Sequence, residues 1–396
     1  MIKVERKLLE IILKILFWFL IFLIVNTYFL YPLLIWFLSK LKSTPQKTIE
    51  NYSRAVSILI SAYNEEKVIE KRIKNLLSQN YDKNLIEIIV GSDCSTDKTN
   101  EILSRLATEF PQVKVFLFNE RKGKAGVLND LYKFASNNIL VFTDANTEFE
   151  SNAIRNLVKH FQDPSIGGVS GRLVLIEKKI HQKKGVEEKK YWEYETFIKK
   201  SEGALGILIG ANGGIFAIRK SLFSEIPTDK PVTDDFYLSL SVIKKGYKFI
   251  YESLAIGFEE VAKDLSSEFN RKIRFAATNF QTITFFKSLL LNKNLILSYA
   301  FWSHKILRWF LPQVMLVVFV INIFLIPADN VYLVTFLIQL LFYLLALIGY
   351  LFNILKVRFG LLSLLFYFLM TNIALLGGFI RFLRKKHSVI WQSTAR

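Results

Sequence analysis

Hydrophobic residues concentrate in long uncharged runs near the two ends of the chain. No charged side chain lies between Lys14 and Lys40. A run of this length can cross a bilayer core of about 30 Å, which needs roughly 20 residues. No small-residue cleavage site follows it, so the run predicts a retained transmembrane helix with a kink at Pro32. We assign residues 1–50 to this helix and its juxtamembrane linker.

Three further uncharged runs lie near the other end, at 309–328, 331–355 and 359–380. Their length and composition predict helices that can span a bilayer. Residues 309–383 are therefore assigned to C-terminal membrane helices, and residues 384–396 to a basic tail.

The charges of the basic tail predict on which side of the membrane it lies. Its charges directly follow an apolar run, and the positive-inside tendency places such clusters in the cytoplasm. Three full crossings after a cytoplasmic domain would instead put the tail outside. We therefore expect the run at 359–380 to follow a re-entrant or interfacial path, broken at Gly377 and Gly378.

The segment 283–308 mixes apolar and basic residues. Its Phe, Leu and Trp residues are interrupted by Lys287, Lys293, His304, Lys305 and Arg308. This mixture is typical of an amphipathic helix that lies in the membrane interface with its basic face toward anionic headgroups. Membrane lipids are thus predicted partners.

The polar middle, residues 51–282, alternates short apolar runs with helical patterns. Strands are predicted at 56–60, 87–90, 113–118 and 139–142, and helices at 65–79, 97–109, 124–137 and 151–161. Such alternation predicts an α/β domain with a parallel sheet covered by helices, and with ligands at the carboxyl ends of the strands.

Composition narrows the class of protein. The 396 residues are 52% hydrophobic and carry a net charge of +18, which together favour a membrane protein with a basic cytoplasmic part over a nucleic-acid binder. The single cysteine, Cys94, excludes an internal disulfide. Four scattered histidines lack the spacing of a histidine-based metal site.

Polar clusters follow each of the four predicted strands. They begin at Ser61, Gly91, Arg121 and Thr143, and read SAYNEE, GSDCSTD, RKGKAGVLN and TDAN. Taken singly, Asn64 or a similar residue could simply cap a helix. Four clusters in order are better explained by one binding site, because the carboxyl ends of parallel strands meet at one edge of a sheet.

These clusters resemble the motifs of the family 2 glycosyltransferases, which have a nucleotide-sugar-binding fold of the GT-A type. The resemblance covers residues 57–281, and the flanking helices resemble those of the hyaluronan, chitin and cellulose synthases. It implies a GT-A domain with flanking transmembrane helices. A nucleotide sugar, with UDP as the expected nucleotide, would be the donor.

The resemblance also implies a donor site. It assigns Ala62, Tyr63, Asn64 and Glu65 to the nucleotide and Asp93 to the uracil edge. A carboxylate there can accept the N3–H of uracil. Two departures from the family pattern accompany Asp93: Ser92 stands where the family often has Asp, and Cys94 where it usually has Gly.

The diphosphate is assigned to Lys124, although a solvated basic loop is the alternative. Asp144 and Asn146 occupy the place of the family's Asp-x-Asp motif, which implies Mg2+ or Mn2+ as cofactor. A hard divalent cation held by one or two carboxylates neutralises a diphosphate leaving group.

Two segments resemble acceptor-binding motifs. The first runs from Gly210 to Arg219 and places Asn212 and Gly213 at the acceptor, although its glycines could equally mark a bulge. The second contains Arg271 and Arg274, where processive relatives have Gln-x-x-Arg-Trp. Arg271 replaces Gln and Phe275 replaces Trp, so short or lipid-linked products are expected. A basic face on an interfacial helix is the alternative.

Asp234 and Asp235 begin a predicted helix, where carboxylates also cap favourably. The resemblance matches Asp235 to the general base at the end of the family's Thr-Glu-Asp motif and Asp234 to its Glu, so it implies that both are catalytic residues. The implied activity is inverting transfer of a sugar to a saccharide or lipid-linked acceptor at the inner membrane face. Transfer to a polyprenyl phosphate is one alternative, and a non-catalytic sensor of nucleotide sugars is another. Nucleotide sugars are cytosolic, so a multi-pass membrane protein with a cytoplasmic catalytic domain is expected.

Overall fold

The computed structural model describes residues 2–42, 52–176, 186–260, 265–355, 357 and 360–385. The strands are β1 Val56–Ala62, β2 Ile86–Asp93, β3 Val113–Phe118, β4 Ile139–Phe142, β5 Glu148–Phe149, β6 Ile166–Ile176, β7 Phe216–Arg219 and β8 Lys248–Glu260. The helices are α1 Ile2–Val25, α2 Tyr31–Lys42, α3 Ile69–Leu77, α4 Thr99–Glu109, α5 Gly123–Phe134, α6 Ala153–Val158, α7 Val186–Ala204, α8 Asp234–Lys244, α9 Leu265–Ile283, α10 Leu295–Ala300, α11 Leu311–Leu325, α12 Asn330–Ile354 and α13 Gly360–Leu383.

The strands form one eight-stranded sheet in the order β3-β2-β1-β4-β7-β6-β8-β5. The four strands predicted from the sequence are its parallel half, with Ile58 of β1 paired to both Ile88 and Val141. Helices cover both faces, so nearly every residue of β1 and β2 is buried. The predicted α/β class and the order of these strands are confirmed.

The other half of the sheet is mixed. Strand β7 runs antiparallel to β4 and β6, whereas β6 and β8 run parallel to each other. The sequence pattern predicts none of these three strands. At Gly168 an added Cβ would lie 2.3 Å from the ring of Phe249, so this strand depends on glycine to pack against its neighbour.

Within the described ranges, four helical segments are long and apolar enough to cross a membrane: Val4–Leu41, Leu311–Ala328, Asn330–Ile354 and Gly360–Leu383. The first contains a π-helix, Asn26–Leu30, between α1 and α2. It lies where Pro32 was expected to disturb the helix. Proline has no N–H to donate to the carbonyl of Tyr28, and that carbonyl instead accepts a hydrogen bond from the hydroxyl of Tyr194, 2.9 Å away.

The segment 283–308 differs from the expected interfacial helix. It contains the end of α9, a 3-10 helix at Lys287–Leu291, α10, and a π-helix at Phe301–Leu307. His304 and Arg308 turn inward and are 2% and 7% exposed. The reason is electrostatic: Glu195 and Glu202 of α7 lie opposite them, and a buried carboxylate requires a charged or hydrogen-bonding partner.

These residues form a buried polar junction, consisting of Tyr31, Glu195, Glu202, His304 and Arg308. The hydroxyl of Tyr31 donates to Glu202 at 2.5 Å, and His304 Nδ1 lies 2.6 Å from the same carboxylate. Arg308 pairs with Glu195. The junction therefore joins the first apolar helical segment, α7 and the segment that leads into α11.

The helix α13 continues through Gly377 and Gly378, so the expected break at these glycines is absent. An added Cβ on Gly378 would lie 2.3 Å from the Cβ of Ala276, so the glycine permits close packing against α9. The hydroxyl of Tyr367 donates to Glu268 at 2.7 Å, and further along both helices the ring of Phe382 stacks on Phe280. The helices α13 and α9 therefore run parallel over this length.

Candidate active site

The loops that follow β1 and β2 are held together by hydrogen bonds. The backbone N–H of Asn64 donates to the Ser95 hydroxyl at 3.1 Å, and the Thr96 N–H donates to the Asn64 side chain at 2.8 Å. The N–H of Glu65 donates to the hydroxyl of Thr99 at 2.8 Å. Ala62 is buried at the strand end and Tyr63 is half-buried. The residues predicted to bind the nucleotide thus form one rigid edge.

Cys94 lies in this edge with a φ of 58°, in the left-handed region. A side chain with a Cβ is strained there, whereas glycine is not. This gives a physical reason why glycine suits the position, at which Cys94 departs from the pattern of the family it resembles.

We expect Cys94→Gly to raise the free energy of unfolding by up to about 1 kcal/mol, because it removes left-handed strain. Cys94→Val should lower it by about 1–2 kcal/mol, since a β-branched residue tolerates this conformation least. Cys94→Ala is the matched control for loss of the thiol. Thermal unfolding of the solubilised protein measures the order, and a valine variant as stable as the glycine variant would contradict the strain.

Asp93 has a structural task that the sequence did not predict. Its carboxylate accepts hydrogen bonds from the N–H groups of Lys122, 2.6 Å, and Gly123, 3.0 Å, and from Arg121 Nε, 3.1 Å. The residue is 2% exposed. Recognition of a uracil edge would need an accessible acceptor, so in this structure Asp93 instead fixes the loop before α5.

Arg121 also stacks on Tyr63. Its guanidinium carbon lies 3.3 Å from the centre of the Tyr63 ring, a contact that combines cation–π attraction with apolar packing. Because Arg121 is bound to Asp93 at the same time, the stack connects the loops after β1, β2 and β3.

A lysine bridges two carboxylates at the centre of the site. Lys124 Nζ lies 2.8 Å from Asp144 Oδ1 and 2.9 Å from Asp234 Oδ2. Burial lowers the pKa of Lys124, but Asp144 and Asp234 outweigh this effect and hold its pKa above the ordinary lysine value. Residues predicted from three separate motifs are therefore brought together around one positive charge.

The donor atoms here fit a divalent cation that arrives with a diphosphate. Among the described residues, no group of three His, Cys, Asp or Glu side chains could hold a metal alone. Mg2+ and similar ions are usually bound by one or two carboxylates plus phosphate oxygens. Asp144 is partly exposed and offers such oxygens. The side-chain nitrogen of Asn146 donates to Glu259 at 3.4 Å, and its ligand role stays a prediction.

Asp235 lies beside this cation site at the start of α8. Burial, followed by repulsion from Asp234, raises the pKa of Asp235 to about 6. Its Oδ1 accepts a 2.7 Å hydrogen bond from the N–H of Phe236. A Cβ added to Gly213 would lie 2.9 Å from Oδ2, so the glycine leaves room for the carboxylate. A carboxylate with such a pKa is suited to accept a proton near neutral pH.

The predicted acceptor segment is held by hydrogen bonds to β6 and α7. Asn212 donates to the carbonyl of Gly171 at 2.6 Å and accepts from Lys199 at 2.5 Å. Its N–H donates to the Ser170 hydroxyl at 2.9 Å. Asn212 is buried, so it fixes the loop, whereas the adjacent Gly213 borders Asp235.

Arg271 and Arg274 lie on α9, which is bonded to the start of α8. The N–H of Thr233 donates to Thr282 at 3.0 Å, and its hydroxyl contacts Thr278 at 2.8 Å. Arg274 is one turn before Thr278. Burial, with Arg271 and Arg381 nearby, lowers the pKa of Arg274 to about 10. The helix that carries both arginines is thus attached directly before Asp234.

Sequence reasoning missed a buried arginine behind the metal motif. Arg72 on α3 is 1% exposed and donates to Thr143 at 2.8 Å, and Thr143 donates to the carbonyl of Gly214 at 2.8 Å. This chain connects the strand end before Asp144 with the acceptor loop. An arginine in the middle of a helical pattern gives no sequence signal that it turns inward.

Residues 57–226 match the family model Glycosyl transferase family 2, so this part of the chain is a family 2 glycosyltransferase domain. The chain is 28% identical over 225 residues to the poly-beta-1,6-N-acetyl-D-glucosamine synthase of Staphylococcus aureus (strain COL), which covers 56% of this chain and 53% of that protein. It is 35% identical over 136 residues to the beta-monoglucosyldiacylglycerol synthase of a Nostoc species, covering 34% of this chain and 29% of that protein.

The chain thus spans about half the length of the Staphylococcus aureus relative. Its fold is similar to that of the mannosyltransferase PcManGT from Pyrobaculum calidifontis, solved with GDP-Man and Mn2+. The TM-score is 0.69 at 22% identity, over 94% of this chain and 100% of that one. The predicted GT-A fold is confirmed.

Proposed function

We propose that the protein transfers a sugar, with inversion, from a nucleoside diphosphate sugar to a hydroxyl of a membrane-associated acceptor. The observation that carries this proposal is the placement of Asp235, a carboxylate with a pKa of about 6, next to the Lys124 site between Asp144 and Asp234. A proton acceptor beside a cation site is what an inverting transfer to a hydroxyl requires.

In this mechanism Asp235 accepts the proton of the acceptor hydroxyl as its oxygen bonds to the anomeric carbon. The bond from that carbon to the diphosphate breaks, and the nucleoside diphosphate leaves with the electron pair. Lys124 contributes positive charge to the leaving group. Asp144 and Asn146 would hold Mg2+ or Mn2+, which supplies further charge neutralisation when bound.

Three observations support a nucleotide-sugar donor. PcManGT, with a similar fold, was solved with GDP-Man, and the Staphylococcus aureus relative is a synthase of poly-N-acetylglucosamine. The edge formed by Tyr63 and Asn64 lies at the strand ends where this fold receives nucleotides. UDP remains our first donor, although the engagement of Asp93 leaves discrimination among bases to other groups.

The membrane orientation is also a proposal. Nucleotide sugars are made in the cytosol, so we place the catalytic domain there. The helix α9 carries Arg271, Lys272 and Arg274, charges that are costly in hydrocarbon. Since α13 lies parallel to α9, we place the second half of α13 at the cytoplasmic interface. The tail then returns to the cytoplasmic side.

Because Cys94 is the single native thiol, a Cys94→Ser, Ser393→Cys variant reports the position of the tail alone. Ser393 lies outside the described residues. A membrane-impermeant maleimide should label this variant only after the cells are permeabilised. The Cys94→Ser variant without the new cysteine is the matched control. Labelling of intact cells would place the tail outside and contradict this topology.

A panel of radiolabelled nucleotide sugars tests the proposed function. Purified membranes are incubated with each donor and Mg2+ or Mn2+, and the products are sorted into lipid, polymer and hydrolysis fractions. We expect one donor to label short or lipid-linked products, because Arg271 and Phe275 depart from the processive pattern. A long homopolymer would show that these substitutions permit processive synthesis. Nucleotide binding without any turnover would favour the non-catalytic alternative.

A further inference from the structure

Two lysine side chains, Lys199 and Lys305, lie near Asp235, and the mechanism above uses neither of them. Lys199 belongs to α7, which packs against α2. Lys305 belongs to the π-helix Phe301–Leu307, only a few residues before α11 begins. Both lysines therefore lie on elements that connect the surroundings of Asp235 to the apolar helices.

The loop between Gly210 and Gly213 places these lysines close to Asp235. Lys199 Nζ donates to Asn212 at 2.5 Å. Lys305 Nζ lies 3.8 Å from the position of a Cβ on Gly210, and Asp235 Oδ2 lies 2.9 Å from the corresponding position on Gly213. Two ammonium groups and the proposed base thus border four consecutive residues.

Nearby carboxylates are already engaged with other groups. Glu195 pairs with Arg308 and contacts His304, and Glu202 contacts His304 and Tyr31. In the part of the chain that the structure describes, neither Lys199 nor Lys305 forms a salt bridge with a carboxylate. Lys305 Nζ contacts His304 Nε2, an imidazole nitrogen, at 3.3 Å.

Keeping both charges here is unfavourable without a counter-charge. Lys199 is 8% exposed. Burial and Lys305 lower its pKa to about 8, against the opposing effect of Glu195, Asp235 and Glu202. Burial also lowers the pKa of Lys305, against the opposing effect of Glu195 and Glu202. An anion bound between the two ammonium groups would offset both the desolvation and their mutual repulsion.

We propose that Lys199 and Lys305 bind the phosphate of a membrane phospholipid whose headgroup hydroxyl accepts the sugar at Asp235. This inference rests on the transferase function proposed above and specifies the acceptor. A lipid that enters from the bilayer would present its headgroup at the level of the π-helix before α11. Ammonium groups serve well as point charges for phosphate. The hydroxyl proton passes to Asp235, as in the general mechanism.

Short-chain lipids in solution test the proposal by direct binding. The probes are dihexanoyl phosphatidylglycerol, dihexanoylglycerol without phosphate, and glycerol 1-phosphate without chains. Binding to the full chain is measured with saturating UDP or GDP and Mn2+, so that the diphosphate site is filled. We expect the phospholipid to bind about 10-fold to 100-fold more tightly than dihexanoylglycerol, the range for hydrogen bonds to a charged group.

Lys199→Met and Lys305→Met should each remove most of this preference while binding dihexanoylglycerol as the wild type does. Lys245→Met is the matched control, because Lys245 directly follows α8 and donates to the carbonyls of Leu222 and Phe223. Lys305 is less buried than Lys199, so Lys305→Met carries the test if the other variant fails to fold.

The outcomes separate this proposal from the transferase function. Equal binding of the two lipids by the wild type, or an unchanged preference in both variants, would overturn the phosphate site. Glycerol 1-phosphate binding as tightly as the phospholipid would assign the site to a free phosphate ester and overturn the lipid assignment. Failure to bind UDP and GDP would instead count against the transferase itself.

Discussion

Asp235→Asn will lower the rate of sugar transfer by about 100-fold to 10,000-fold, the usual cost of losing a general base. The substitution keeps the volume of the side chain and its ability to accept the N–H of Phe236, but removes the proton acceptor. Donor affinity should remain near that of the wild type, because Lys124 and Asp144 are unchanged. Turnover and nucleotide binding are measured on the same preparation.

Asp229→Asn is the matched control for this variant. Asp229 is exposed and lies shortly before α8 in the sequence, so the same chemical change there should leave turnover unaltered. Turnover of Asp235→Asn within a few-fold of the wild type would exclude Asp235 as the base. Loss of nucleotide binding together with turnover would show that the variant disturbs the whole site.

The pH dependence should report the same group. Asp235 must be ionised to accept a proton, and its pKa is raised to about 6. The value of kcat/KM should therefore fall as the pH drops below about 6 and level off above pH 7. In Asp234→Asn the inflection should move to lower pH, because a neighbouring negative charge is removed. An inflection that stays in place would contradict the assignment.

Asp144→Ala should weaken metal-dependent donor binding by about 10-fold to 100-fold, since it removes the carboxylate that would hold the cation beside the diphosphate. EDTA should abolish turnover of the wild type, and added Mn2+ should restore it. Titration of the donor with and without Mn2+ measures the effect, and Asp229→Ala serves as the control.

The variant has a second expected consequence. Lys124 would keep only Asp234 as its carboxylate partner in the pair of contacts described above, so the binding that remains should depend less on Mn2+ than in the wild type. Full activity of the wild type in EDTA would refute the metal role of Asp144. An unchanged Mn2+ dependence in Asp144→Ala would assign the ion to other ligands.

The parallel half of the sheet could be predicted because its signals are local. Buried strands such as β1 read as uninterrupted apolar runs, and polar residues follow at their carboxyl ends. The proximity of Lys124 and Asp144 could also be expected, since both follow parallel strands whose carboxyl ends lie at one edge of the sheet. Asp234 follows an antiparallel strand, and only the family resemblance placed it at the site. The structure confirms the GT-A fold, while the roles of these residues stay predictions.

Other features depend on contacts between distant parts of the chain. Strands β6 and β8 are buried by their pairing, and their glycines look like turn signals in the sequence. His304 and Arg308 read as an interfacial basic face because Glu195 and Glu202, their partners, lie about a hundred residues earlier. Asp93 looked like a ligand for a base, and only the fold shows the loop that it holds.

The buried polar junction has a consequence for modularity. If residues 51–282 were separated from the membrane segments, Glu202 would lose Tyr31 and His304, and Glu195 would lose Arg308. Glu195 and Glu202 would then be buried without these partners, and each carboxylate would need water or a proton in their place. The α/β domain therefore depends on residues outside it to balance its buried charges. We expect a version of the domain without these helices to be less stable than the full chain, in engineered proteins as in evolution.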